Sequence, residues 1–162
     1  MDLKQALQKA IEFEQKGRAV YDEAAFKTEN EAVAKIFIWL AEQELQHERW
    51  IKAFIEEKGM DLPPDPVLPV KEFFKSTTKE FRTKLVLSDD DVSAYDQAMQ
   101  LERESYEYYK EQLESADDDA KALLGSLMEQ EQAHYDLLEQ TRDYLSDPDL
   151  FYQREEGWLF EG

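Results

Sequence analysis

Two tetrapeptides decide how this chain folds: Glu44-Leu45-Gln46-His47 and Glu131-Gln132-Ala133-His134. Both read Glu-x-x-His. On an α-helix, residues three apart share a face one turn apart, so each tetrapeptide aims a carboxylate and an imidazole at one point. These are the only two histidines among 162 residues.

Outward from Glu44, apolar residues fall at helical spacing. Phe37, Leu40, Glu44, His47, Ile51 and Phe54 form a seam with steps of three and four. Thr28 with Glu31 reads as a capping box that opens this helix, and Gly59 as the C-terminal cap that closes it near Lys58. Before it, residues from about Asp2 to Thr28 carry a seam of Ala10, Glu14, Gly17, Tyr21 and Ala24. Outward from Glu131, the seam is Leu124, Leu127, Glu131, His134 and Leu138, on a helix opened by Ser115 and running to about Leu145. The helix before that begins at Ser88-Asp89-Asp90-Asp91, with negative charge where the dipole favours it, and ends near Glu114. Its seam is Ala98, Glu102, Ser105, Tyr109 and Gln112.

The halves repeat. Ala10, Glu14, Gly17 and Tyr21 map onto Ala98, Glu102, Ser105 and Tyr109 at an offset of 88, and Phe37 through Ile51 map onto Leu124 through Leu138 at an offset of 87. The chain is a duplicated helix pair with polar residues at matching points of both seams. Between the halves, about residues 60–87, Pro63, Pro64, Pro66 and Pro69 forbid a regular helix at the start. Phe73, Phe74, Phe81 and Leu85 imply that the later part packs as a short helix. This stretch reads as one long crossover rather than a binding loop.

Composition narrows the function. A net charge of −19 opposes binding to nucleic acid or to an anionic membrane surface. No run approaches the roughly 20 apolar residues of a membrane span, and Met1-Asp2-Leu3-Lys4-Gln5 lacks the apolar run of a signal peptide, so a cytoplasmic location is expected. The absence of cysteine excludes a disulfide scaffold, a thiolate metal site and a Cys nucleophile.

Six ionisable residues lie on otherwise apolar seams: Glu14, Glu44, His47, Glu102, Glu131 and His134. A buried ionised carboxylate is costly unless paired or bound to metal, and four converging ones repel each other. No Lys or Arg stands in register to neutralise them, whereas two divalent cations would cancel four negative charges. An oxygen and nitrogen ligand set without sulfur suits iron or manganese, alone or mixed, and zinc less selectively. One Glu from each of two helices and Glu-x-x-His from each of the other two is the plan of carboxylate-bridged dimetal bundles. Glu42 and Glu129 repeat at the same offset of 87, but their angular position assigns them to solvated surface; Trp39 and Trp50 read as packing residues.

On these residues the chain resembles the ferritin-like superfamily, and within it the diiron domain of rubrerythrin, over about residues 1–146. The resemblance rests on Glu14 with Tyr21 seven residues later, Glu44-x-x-His47, Glu102 with Tyr109 seven later, and Glu131-x-x-His134. It implies an all-α, antiparallel four-helix bundle with one long crossover. It also implies two iron ions bridged by Glu44 and Glu131, with Glu14 and Glu102 as terminal ligands and His47 and His134 each on one metal. Tyr21 and Tyr109 would hydrogen-bond ligand carboxylates. The implied activity is reduction of hydrogen peroxide or oxygen. A ferroxidase for iron storage or detoxification, and a structural bundle with a non-catalytic metal site, stand as rivals. Ser105 occupies the position where rubrerythrins usually carry an additional Glu, so the redox-linked movement of iron between a His and that Glu does not carry over with the rest. With no cysteine for a rubredoxin centre, electrons are expected from a separate donor protein, and the bundle is expected to form a homo-oligomer, most simply a dimer. The remaining residues, 147–162, hold Phe151, Tyr152, Trp158, Leu159 and Phe160, and read as an aromatic C-terminal tail that folds back on the bundle or docks on a second protomer or on a partner such as a shell or donor protein.

Overall fold

The computed structural model describes residues 2–81 and 87–146. Five helices follow one another: α1 (Leu3–Lys27), α2 (Glu31–Ile55), α3 (Leu68–Phe81), α4 (Asp89–Glu114) and α5 (Asp118–Ser146), with no strand among the described residues. Four long helices form the bundle and α3 lies on the crossover, the all-α arrangement that the ferritin-like resemblance implies. The side chain of Phe81, Leu85 and the aromatic tail 147–162 lie outside what is described.

Short links at 28–30 and 115–117 make α1 and α2, and α4 and α5, antiparallel hairpins. Thr28 Oγ1 donates to Asp91 Oδ1 at 2.6 Å, which puts the C-terminal end of α1 beside the start of α4. At the same end Arg142 of α5 bonds Asp96 of α4 at 3.0 Å. The chain must therefore travel the length of the bundle between Ile55 and Asp89, and α3 makes that journey packed against α5 and α2. Pro69 sits in the first turn of α3, where a missing N–H costs nothing. Val70, Phe74 and Thr77 are buried, and Phe73 stacks on Trp39 of α2 at 4.4 Å, so the crossover is a packed element.

Helix ends depart from the sequence reading in three places. Asn30, not Thr28, caps α2, because its side chain reaches both Ala32 N and Val33 N. Thr28 instead closes α1 and bonds Asp91. Ser115 closes α4, and Asp117 Oδ1 takes the Ala120 N–H at the start of α5. At the end of α2 the left-handed position is taken by Glu57, φ 59°, with Lys58 N bonding Ala53 O at 2.7 Å; Gly59 lies beyond it. The helix start expected at Ser88 is present, and Ser88 and Asp91 close it as a capping box.

Two apolar clusters occupy the bundle interior. One contains Tyr21, Ile36, Phe37, Leu40, Tyr95, Leu137 and Tyr144. The other contains Leu7, Ile11, Trp50, Ile51, Tyr109, Leu123 and Leu127. The Glu and His positions of the seams fall between them. Each large apolar side chain buried contributes about 1.5–3 kcal/mol, while an unpaired buried ion costs several kcal/mol. Apolar layers above and below therefore hold a polar layer that could not sustain itself.

Candidate metal centre

Each helix brings its seam residues to this layer. Glu14 comes from α1, Glu44 and His47 from α2, Glu102 from α4, and Glu131 and His134 from α5, all between 0% and 3% exposed. The six sequence-predicted residues converge. Two groups of four have ligand atoms within 4.8 Å of one another: Glu14, Glu44, His47 and Glu131; and Glu44, Glu102, Glu131 and His134. Glu44 and Glu131 belong to both.

His47 Nδ1 lies 3.2 Å from Glu14 Oε2 and 2.9 Å from Glu131 Oε1. His134 Nδ1 lies 3.4 Å from Glu44 Oε1 and 3.5 Å from Glu102 Oε1. The two imidazoles are parallel, 5.4 Å apart with 4° between their planes. The ion-pair partners of these four carboxylates are the two histidines, among the described residues.

The predicted tyrosines cross between α1 and α4. Tyr21 donates its hydroxyl to Glu102 Oε1, and Tyr109 donates to Glu14 Oε1 at 2.5 Å. Burial and the neighbouring carboxylates push both phenols well up, so they remain hydrogen-bond donors. Gly17 provides clearance: a Cβ there would stand 3.3 Å from Glu44 Oε2. Glu42 and Glu129 are exposed, as their angular position requires.

The electrostatics divide the carboxylates into two kinds. Burial and the charges of Glu14 and Glu102 push Glu44 well up. Burial and the charges of Glu102, Glu44 and Glu14 do the same to Glu131. Burial also opposes ionisation of Glu14, but the His47 charge and hydrogen bonds from Glu44, His47 and Tyr109 overcome it and hold the group at about 2. At Glu102 burial is likewise outweighed, by His134, Glu131 and Tyr21, and its pKa is lowered. Burial disfavours charged His47, yet Glu14 more than compensates and raises it.

A cation fits this layer on its own geometry. Glu44 Oε1, Glu102 Oε2, Glu131 Oε1 and both ring nitrogens of His134 are buried without a hydrogen-bond partner, where native proteins leave few such atoms. His47 Nε2 stands 3.0 Å from Gln130 Oε1. When Nε2 donates there, Nδ1 presents a lone pair to two carboxylate oxygens, and only a proton or a metal ion reconciles three acceptors.

The sequence model of the rubrerythrin family matches residues 5–141. The chain belongs to the rubrerythrin family. No curated protein and no solved structure matches it. Membership in the rubrerythrin family and the buried Glu and His cluster together fit a metal site. None of the described helices is long and apolar enough to cross a membrane.

Two features of this rubrerythrin-family site escape the seam pattern. Gln130 is 1% exposed and bonds both His47 and Ser126, although it lies beside the seam rather than on it. Its signal in the sequence is the four-residue spacing of Ser126 and Gln130, parallel to that of Leu127 and Glu131. Trp39 and Trp50, read as packing residues, each lie against a histidine: Trp50 stacks on His47 at 5.6 Å, and Trp39 meets His134 edge-on at 5.7 Å.

Proposed function

We propose that this chain is a non-haem diiron oxidoreductase that reduces hydrogen peroxide or oxygen. The observation that carries the reading is the layer of four buried glutamates and two histidines, with orphaned carboxylate oxygens and no Lys or Arg paired with them among the described residues. Glu44 and Glu131, common to both groups, would bridge two ions; Glu14 and His47 would complete one, Glu102 and His134 the other. Two iron ions held there would supply the electrons and the adjacent open positions that reduction of an O–O bond needs.

The chain's own residues set the conditions. Tyr109 and Tyr21 fix Glu14 and Glu102 as oriented carboxylates, and the clearance at Gly17 lets the Glu44 carboxylate sit in the layer. Glu44 and Glu131 hold protons in the metal-free layer and release them when a cation arrives, which makes loading pH-dependent. Electrons come from a redox group outside these 162 residues, which include no cysteine to hold a rubredoxin centre.

Stopped-flow mixing of the diferrous protein with peroxide and with oxygen tests the activity. Fast peroxide or oxygen turnover without mineral formation supports the proposal. Oxygen-driven accumulation of ferric mineral would establish a ferroxidase instead, and inertness towards both would leave a structural site.

A further inference from the structure

The duplication makes the two histidines equivalent in the sequence, but their surroundings differ. His47 has a polar chain behind it: Nε2 meets Gln130 Oε1 at 3.0 Å, and the Gln130 amide donates from Nε2 to Ser126 Oγ at 3.0 Å. All three side chains are buried. The Gln130 amide is thus held between the Ser126 hydroxyl and His47, with its oxygen facing the His47 ring nitrogen. The repeat counterparts of Gln130 and Ser126, at the offset of 87, are Gln43 and Trp39. Gln43 is only half-buried and makes no hydrogen bond to His134. Where Ser126 would anchor it, Trp39 instead packs edge-on against the His134 ring. His134 Nε2 is left buried with no acceptor among the described residues.

A metal-ligating histidine is oriented by the acceptor that takes its other ring proton, and removing that acceptor costs about 10–100-fold in metal affinity. We propose that Gln130, anchored by Ser126, is a positioning residue that makes the two halves of the centre unequal. The half built on His47 takes its metal first and holds it tightly, and the half built on His134 exchanges. This rests on the dimetal reading above. Gln130 fixes His47 with its proton on Nε2 and its lone pair on Nδ1, facing Glu14 and Glu131. His134 must leave the proton on Nε2 unsatisfied in order to present Nδ1, and that weakens its metal.

Cobalt(II) titration of the metal-free full chain, followed by visible absorbance and calorimetry, tests this. The wild type should bind two ions in two steps about tenfold or more apart. His134→Ala should remove the weaker step and retain the tighter one. Gln130→Leu should weaken the tighter step by about 10–100-fold, so that the steps merge, and Gln130→Glu, which keeps an acceptor, should restore their separation. Ser126→Ala, a smaller change, should shift the same step in the same direction. In the zinc-loaded protein, the His47 Nε2 proton should be protected from exchange in wild type and lost with Gln130→Leu. Two ions bound with equal affinity in wild type would overturn the inference while leaving the dimetal centre standing. A Gln130→Leu titration superimposable on wild type would do the same. Failure to bind a second ion at any concentration would overturn the dimetal reading and this inference with it.

Discussion

Glu14→Gln in the metal-free protein offers a quantitative check on the electrostatics of the layer. Folded Glu14 is held at about 2 against an ordinary value of 4.5, because the His47 charge and hydrogen bonds from Glu44, His47 and Tyr109 outweigh the effect of burial. Folded Glu14 thus releases its proton more readily than unfolded Glu14. Its contribution to stability is fully present above pH 4.5 and is lost as pH falls towards 2. At about 1.36 kcal/mol per pH unit, the depression amounts to about 3 kcal/mol, roughly 6–12 °C of melting temperature for a domain of this size. Glutamine keeps the shape and an acceptor for Tyr109 but removes the charge. Thermal melts of chelator-treated protein, followed by circular dichroism, should show Glu14→Gln melting well below wild type at pH 6. The gap should narrow as pH falls below 4.5 and close only below about pH 2, where folded Glu14 is itself protonated. Equal melting temperatures at pH 6, or a gap that is constant with pH, would refute the ion pair between Glu14 and His47.

Other outcomes follow from the same geometry. Glu44→Ala or Glu131→Ala should reduce bound metal from two ions to one or none, because each carboxylate belongs to both groups, whereas Glu42→Ala should leave metal content unchanged; elemental analysis of the purified variants checks both. Folded Glu44 and Glu131 have raised pKa values, so their contribution is present below about pH 4.5 and is lost as pH rises. Chelation should therefore lower the melting temperature at pH 7, and mild acid between pH 5 and 6 should recover part of the loss, as calorimetry of the apo protein would show. Glu57→Gly should raise stability by about 0.5–1 kcal/mol in urea titrations, since Glu57 holds φ 59° at the end of α2, where glycine is unstrained.

How much of this was legible follows from the range of the interactions. The seams announced the four long helices, because a position every three or four residues is a property of one helix and needs no knowledge of its neighbours. The duplication added the pairing of the halves, and six ionisable residues at matching points located the layer. Tyr21 and Tyr109 were legible as partners of ligand carboxylates, but that each would reach across to the other hairpin required the antiparallel contact of α1 with α4. The caps were missed for a similar reason. Thr28 has the side chain of an N-cap, yet Asp91, distant in sequence, claims its hydroxyl and leaves the start of α2 to Asn30. Glu57 was misjudged because glycine is the usual left-handed residue and Gly59 lay two positions away. The short helix expected in the later crossover is α3; only its start was obscured by the prolines, the last of which sits in a first turn that tolerates it. Gln130 was missed because it flanks the seam, and its role exists only where α5 faces His47 of α2.

The proposed function requires this layer to hold two metal ions. Anaerobic equilibrium dialysis of the metal-free chain against ferrous iron, with protein and metal quantified in the same sample, measures it directly. Saturation is expected at two iron ions per chain, lost when Glu44 and Glu131 are both replaced by alanine. Saturation at one ion or none, or a double variant that still binds two, would contradict it.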